Sequence, residues 1–385
     1  MLSYGMNEEQ QMIRDLARQV AEEKIKPKSK EWDEKEEFPW EAIKALAQSD
    51  FFRLPIPEAY GGMGKGVLEM CIATEEVSRV DGGVATSFAA SFLGMFPILL
   101  YGTEEQKKKY LPLIASGEKI AAFAITEPEA GSDTAAIKTR AVKQGDFYVL
   151  NGLKHFITNA GEAEIYSVIA VTDKTKGMRG TSAFILEKND PGFTFGKKED
   201  KMGIRASSTR ELVFQDCKIP RERLLGGREG IGFIATMKTF DVSRPGVASQ
   251  AVGIAQGALE LAVGYAHQRE QFGQKISSFQ GIQWMLADMA TKIEAARALV
   301  YAAAQAVDRG EKDVGAASAM AKLYAGDVAM EVTTNAVQIF GGYGYMRDYP
   351  VEKFMRDAKI TQIYEGTNQI QRNIIALQLI KEYTK

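Results

Sequence analysis

Glu365, Gly366 and Thr367 stand just before a segment whose apolar residues Ile370, Ile374 and Leu377 recur at the spacing of an amphipathic helix. Gly366 permits a turn that a side chain resists, and Thr367 or Asn368 can serve as N-cap. A carboxylate at such a bend lies beside exposed backbone N–H groups. It can take a proton from a bound molecule while an N–H polarises that molecule's carbonyl. The same three residues also read as an ordinary capped helix start, so a chemical role needs partners elsewhere in the chain.

Five further stretches carry residue types suited to holding a ligand. Ala124-Ile125-Thr126-Glu127-Pro128-Glu129-Ala130-Gly131-Ser132-Asp133 can present backbone donors, a hydroxyl and a carboxylate, without matching a phosphate loop or the Gly-x-Gly-x-x-Gly pattern. Phe156 and Thr158, within Lys154-His155-Phe156-Ile157-Thr158-Asn159-Ala160-Gly161, would set an aromatic ring beside a hydroxyl on one strand. That suits a flat heteroaromatic group, or simply a core. Asp241 and Arg244 could take an amide and a charged group of a ligand, or pair with each other. Arg269, in Arg269-Glu270-Gln271-Phe272-Gly273, has the forked donors that suit a pyrophosphate, or a surface salt bridge. Gln338-Ile339-Phe340-Gly341-Gly342-Tyr343-Gly344 is glycine-dense enough for close approach of a ligand.

The elements that must position these residues fall into three units, 1–120, 121–230 and 231–385, as expected for a chain of 385 residues. Helical patterns occupy 7–30, 68–79, 86–100 and 104–113, with the charged run 31–37 read as a solvated connection. Short β-branched and aromatic runs at 147–150, 165–171, 181–186, 193–195 and 212–214 predict a β unit, with a long loop at 199–210. The helical period then returns, with small residues Gly253, Gly257 and Ala258. Core stripes follow at Ile282, Met285, Leu286, Met289 and Ile293, and at Ala317, Met320, Tyr324, Val328 and Val332. The expected fold is α+β multidomain: a helical N-terminal domain, a middle β domain of barrel-like or orthogonal-sheet kind, and a C-terminal four-helix bundle.

Composition narrows the function classes. With 45% hydrophobic residues, 25% charged residues and a net charge of −2, the chain has no electrostatic footprint for nucleic acid or an anionic membrane. Cys71 and Cys217 lie far apart, and His155 and His267 are the two histidines, so neither a disulfide framework, a metal centre nor a serine-type triad is expected. The first residues lack signal- or transit-peptide character, and no run of about 18 apolar residues is read. A reduced, cytoplasmic setting is expected.

Joined to Ile363-Tyr364-Glu365-Gly366-Thr367-Asn368-Gln369-Ile370-Gln371, the five stretches stand in the order found in the acyl-CoA dehydrogenase family, which the chain resembles from residue 7 to residue 380. The resemblance implies FAD held between the middle domain and the bundle. Phe123, Ile125, Thr126, Gly131 and Ser132 would lie along the flavin, and Phe156 and Thr158 against its ring, with Thr158 at N5. Arg269, Phe272, Gln280, Gln338 and Gly342 would hold pyrophosphate and adenine across a subunit interface, and Thr367 and Gln369 would add flavin contacts. Ser132, Asp241, Arg244, Tyr364 and Gly366 would contact the acyl-CoA, and Glu365 would be the catalytic base.

The implied reaction is α,β-dehydrogenation of a short- to medium-chain acyl-CoA to the trans-2-enoyl-CoA. The Glu365 N–H would polarise the thioester carbonyl, a donor worth about 3 kcal/mol or more in comparable sites. Glu365 would take the α-proton while the β-hydrogen leaves as hydride to the flavin, and electrons would pass to electron-transferring flavoprotein. A homotetramer, a dimer of dimers, is implied. Ser243 stands where some relatives carry their base and cannot do that work. Residues 82–103, expected to line the acyl tail, lack Arg, Lys, Asp and Glu, which argues against a dicarboxylate; Ala89, Ala90 and Ser91 leave room for a branch or ring. Phe156 stands where several relatives have a larger indole. The alternatives are an acyl-CoA oxidase, which would form peroxide, and a flavin-free acyl-CoA-binding scaffold, which would be colourless.

Overall fold

Asn7 opens the first helix by accepting from the Gln10 N–H, while the Gln10 side chain reaches back to the Asn7 N–H. The structure, a computed structural model, describes residues 4–384; residues 1–3 and 385, included in the end units 1–120 and 231–385, lie outside the described residues. Helix α1 (Glu8–Val20) buries Ile13, Ala17 and Val20. The helix expected over 7–30 instead loosens into a π turn and a 3-10 turn where Pro27 denies a donor, and restarts as α2 (Ser29–Lys35). The charged run 31–37 is therefore helix as far as Lys35 rather than a connection: Glu31, Glu34, Lys35 and Glu37 are exposed, but one side of it is anchored. Trp32 and Asp33 are buried, because Asp33 accepts both Arg356 amino groups, at 2.7 and 3.3 Å.

The rest of the unit is α3 (Trp40–Gln48), α4 (Val67–Ser78), α5 (Gly82–Tyr101) and α6 (Glu104–Ala115). Helix α5 corrects the expectation that no run reaches membrane length. An 18-residue window has mean hydropathy 1.7, and 78% of that window is buried inside the protein, where it serves as a core helix.

Seven strands form one curled sheet: β1 (Ala121–Ala124), β2 (Arg140–Gln144), β3 (Phe147–Thr158), β4 (Ile165–Val171), β5 (Thr181–Glu187), β6 (Phe193–Lys198) and β7 (Thr209–Pro220). The order is β1-β4-β2-β3-β7-β6, with β5 paired to β4. The alanine-rich β1 escapes a β-propensity reading, and its small residues have a use. A Cβ at Gly94 of α5 would stand 2.5 Å from the Ala122 nitrogen, so helix and strand touch backbone to backbone.

The C-terminal unit holds α7 (Gly232–Gln268), a hairpin of β8 (Glu270–Gln271) and β9 (Gln274–Lys275), α8 (Gln280–Asp308), α9 (Val314–Phe340), α10 (Val351–Ile360) and α11 (Asn368–Tyr383). Gly253 and Gly257 let α7 lie on the end of α4, where a Cβ would meet the carbonyls of Glu75 and Arg79. The expected stripes are only partly core. Met289, Ile293, Val328 and Val332 are buried, whereas Ile282, Met285 and Leu286 are half-buried and Tyr324 is exposed. On α11, Leu377 and Ile380 are exposed; that stripe is not part of this chain's own core.

Between β6 and β7, the loop residues 199–208 fold onto α10: the Ile204 N–H donates to Asp357 at 2.5 Å, and a Cβ at Gly203 would collide with the Arg356 carbonyl. Arg210 lies within β7. Lys353 completes this join, with its ammonium 2.6 Å from Asp357 and 3.2 Å from Asp81, all three buried. Lys353→Met leaves two buried carboxylates without their cation. It is expected to destabilise the protein by about 3–5 kcal/mol, read as a lower urea midpoint at an unchanged slope. An unchanged midpoint would show that the join carries no stability.

Candidate active site

Glu365 sits on the short connection between α10 and α11 with φ +50°, followed by Gly366 at +91°. A left-handed non-glycine residue costs on the order of 1–3 kcal/mol and persists only where its surroundings over-determine it. Here they do. The Glu365 carbonyl accepts from Arg244 Nε at 3.3 Å and Gln371 Nε2 at 3.2 Å; the Gly366 carbonyl accepts from Gln371 Nε2 at 2.9 Å and Lys322 Nζ at 2.8 Å. Thr367, rather than Asn368, is the N-cap of α11, its hydroxyl accepting from the Ile370 N–H. Among the described residues, the Glu365 N–H has no acceptor of its own.

The Glu365 carboxylate accepts from the Ser243 hydroxyl at 2.6 Å. Desolvation by the surrounding protein raises its carboxyl above the usual range, against the opposing pull of that hydrogen bond and of Arg244 and Lys322. Tyr364 beside it donates its hydroxyl to Gln250, whose amide in turn donates to Thr86 at 2.7 Å and the Gly82 carbonyl at 3.0 Å. The bend is thereby tied to α5, in the segment 82–103.

Three of the five further stretches are joined toward this point. The His155 N–H donates to the Thr126 carbonyl at 2.8 Å, joining the end of β1 to β3. Strand β3 slips register between Lys154 and Ile157, and this bulge turns Phe156, at φ +58°, outward to 61% exposure. Thr158 is half-buried opposite Thr209. Phe123, buried like Ile125, packs edge-on against Phe240 at 5.8 Å; the Arg244 guanidinium lies 5.5 Å from the Phe240 ring and bonds to Glu365. Gly131 and Ser132 stand exposed on the loop after β1, which Glu127 anchors by accepting from the Lys138 and Thr139 N–H groups and from Lys154. Asp241 and Arg244 make no ion pair with each other: Asp241 is 3.5 Å from Lys238, and burial raises its carboxyl.

The fourth and fifth stretches lie elsewhere. Arg269, Gly342 and their neighbours line a pocket of about 470 Å³, with the Arg269 guanidinium 5.4 Å from the Tyr343 ring. Phe272 and Gly273 form the β8–β9 turn with positive φ, leaving the Phe272 ring 94% exposed. Gln280 and Gln338 are exposed on the starts and ends of their helices, and Gln369 is exposed on α11. Arg244 lies within α7 and Arg269 is the residue that caps its C-terminal end, so about 38 Å of helix axis separates them.

Several site residues gave no sign in the sequence. Lys322 and Lys154 occupy apolar-periodic positions and only their burial marks them; burial lowers the Lys154 ammonium to about 8 against the opposing pull of Glu127. Ser243, which cannot itself act as a base, is the hydrogen-bond donor to the Glu365 carboxylate. Gln371 lay in a recognised motif without a task.

Three units meeting at one raised carboxylate describe a multidomain enzyme of acid–base type. Models of the acyl-CoA dehydrogenase N-terminal, middle and C-terminal domains match residues 7–118, 122–217 and 230–380. The short-chain-specific acyl-CoA dehydrogenase of Clostridium acetobutylicum is 50% identical, covering 99% of this chain and all of that one. The solved butyryl-CoA dehydrogenase of Megasphaera elsdenii superposes with a TM-score of 0.96 at 49% identity, over 98% of this chain and 100% of that one. A chain in the structure reported for the electron transferring flavoprotein of Acidaminococcus fermentans gives 0.96 at 53% identity, over 98% and 100%. The chain belongs to the acyl-CoA dehydrogenase family, whose members are FAD-dependent oxidoreductases.

The donor set fits that cofactor. Arg269 offers a fork for pyrophosphate beside Gly341 and Gly342, where an added Cβ would meet nothing within 4 Å, and Phe156 offers an exposed flat ring. Ser243→Ala removes a hydrogen bond to the ionised Glu365. The carboxyl is expected to ionise about one pH unit higher, read as the pH midpoint of carbodiimide labelling of Glu365 by peptide mass spectrometry. A stationary midpoint would mean that the hydroxyl does not favour the carboxylate.

Proposed function

We propose that the protein catalyses FAD-dependent α,β-dehydrogenation of a short-chain acyl-CoA, with Glu365 as the base and electron-transferring flavoprotein as acceptor. The observation that carries this reading is the Glu365 bend, where one residue offers both a raised carboxylate and an N–H without an acceptor. The N–H is suited to polarise a thioester carbonyl and so acidify its α-hydrogen; the carboxylate is suited to take that proton. Burial raises the carboxyl toward useful basicity, and the Ser243 hydrogen bond, which favours the carboxylate, opposes that rise. FAD, when bound, supplies the acceptor for the β-hydrogen.

On the cofactor side, Phe123, Ile125, Thr126, Gly131, Ser132, Phe156, Thr158, Thr367 and Gln369 form one half of the site, and Arg269, Phe272, Gln280, Gln338 and Gly342 the other. A span of about 38 Å along α7 is too long for one dinucleotide, which supports halves contributed by different copies. The exposed apolar stripe of α11 supports assembly too, and a homotetramer is the proposed form. Ser132, Asp241, Arg244, Tyr364 and Gly366 form the substrate side, with Arg244 also holding the bend. Division into units 1–120, 121–230 and 231–385 and a cytoplasmic setting complete the proposal. The names of the Clostridium and Megasphaera relatives support a short acyl chain, and the Acidaminococcus structure supports the electron acceptor.

Glu365→Gln is expected to keep its FAD yet bleach about 10²–10⁴-fold more slowly with butyryl-CoA; normal bleaching would place the base elsewhere. Arg269→Ala is expected to lower FAD content per chain and shift the protein toward smaller species on size-exclusion chromatography. Full flavin occupancy would remove the pyrophosphate role.

A further inference from the structure

Lys322, on α9, is 1% exposed, and its ammonium donates to the Gly366 carbonyl at 2.8 Å and to Asn368 Oδ1 at 2.9 Å. Both acceptors belong to the connection that carries Glu365. The Asn368 amide donates back to the Leu323 carbonyl at 3.2 Å and to Asp327 at 2.8 Å, so α9 grips the start of α11 from two sides. One turn along, a Cβ at Gly326 would stand 3.0 Å from the Thr361 carbonyl, which brings helix and connection into backbone contact. A cation in such a place loses its hydration and must be compensated by what it touches. What it touches is the turn.

We propose that Lys322 is a positioning residue for Glu365: it pins the left-handed turn that carries the carboxylate and sets a positive charge close to it. The proposal rests on the reading of Glu365 as the base. Burial pushes the Lys322 ammonium down to about 7; Glu365 opposes that fall, Arg244 deepens it, and Asp327 opposes it. The charged groups facing Lys322 are therefore Glu365 on the bend, Arg244 on α7 and Asp327 on its own helix, while α11 presents the neutral Asn368. Ionised Lys322 favours ionised Glu365, so removing the cation raises the pH at which Glu365 gives up its proton.

Lys322→Met and Lys322→Arg in the FAD-loaded enzyme test this by two pH profiles. One is carbodiimide labelling of Glu365 and the other is the rate of flavin bleaching by butyryl-CoA. In K322M both midpoints are expected to move upward by about one pH unit, the lower end of what a nearby opposite charge produces; in K322R they return toward the wild-type position. A residue that merely packs would lower the rate or the FAD content at every pH and leave the midpoints in place, and that result overturns the proposal. Should K322M fail to retain FAD, Lys322→Gln keeps a donor without the charge, and the same upward shift is required of it. The labelling profile reads the proton on Glu365 whether or not that residue is the base. Normal bleaching in Glu365→Gln would therefore overturn the catalytic reading separately.

Discussion

A left-handed turn at a residue that is not glycine is the constraint on which this structure is built. Glu365 must hold φ near +50° for its N–H and its carboxylate to be offered from the same point. No local propensity favours that conformation for glutamate; the elements around it must impose it. Three do so: α7 through Ser243 and Arg244, α9 through Lys322, and α11 through Gln371. Each donor satisfies a carbonyl or carboxylate oxygen that the turn withdraws from regular pairing, so the same bonds that hold the geometry also remove the penalty of burying it.

The upstream end is fixed by charge. Helix α10 enters the connection only after Lys353, Arg356 and Asp357 have engaged Asp81, Asp33 and the Ile204 N–H, which come from the helical unit and from the loop 199–208 of the sheet unit. Buried ion pairs are weak sources of stability but strong sources of register, because every mispairing strands a desolvated charge. The sheet reaches the same point by an apolar and cation–π route, Phe123 to Phe240 to Arg244. All three units thus converge on the bend by independent means.

Those means explain what could be read from the sequence. Periodicity and turn residues located the long helices and the strongly β-branched strands, and Glu-Gly-Thr before an amphipathic pattern marked the bend. The resemblance of ordered motifs then supplied the residues expected, and proposed above, to hold the cofactor. Periodicity failed where tertiary pairing replaced it. The run 31–37 looked solvated because its partner Arg356 lies more than three hundred residues away, and alanine-rich β1 owes its strand to contact with α5 rather than to propensity. Lys322 and Lys154 were invisible for the same reason. Their cost of burial is offset by carbonyls and a carboxylate that only the fold brings near.

The bulge at Phe156 and the hairpin turn at Phe272 put two aromatic rings into solvent, each at a positive φ that a bulky residue ordinarily avoids. Burial within the chain does not explain either ring, since each projects away from it. The proposed cofactor site has a ring-holding half and a phosphate-holding half, and about 38 Å of α7 runs between Arg244, which is joined to the first through Phe240 and Phe123, and Arg269 in the second. A flexible linker would have let one chain close on its own cofactor. A continuous helix works against it, and the proposed assembly, in which one copy's Arg269 end meets another's Phe156 end, would resolve the conflict. On the proposed assembly, the two exposed rings and the apolar stripe of α11 share one explanation, as surfaces of a site completed between chains.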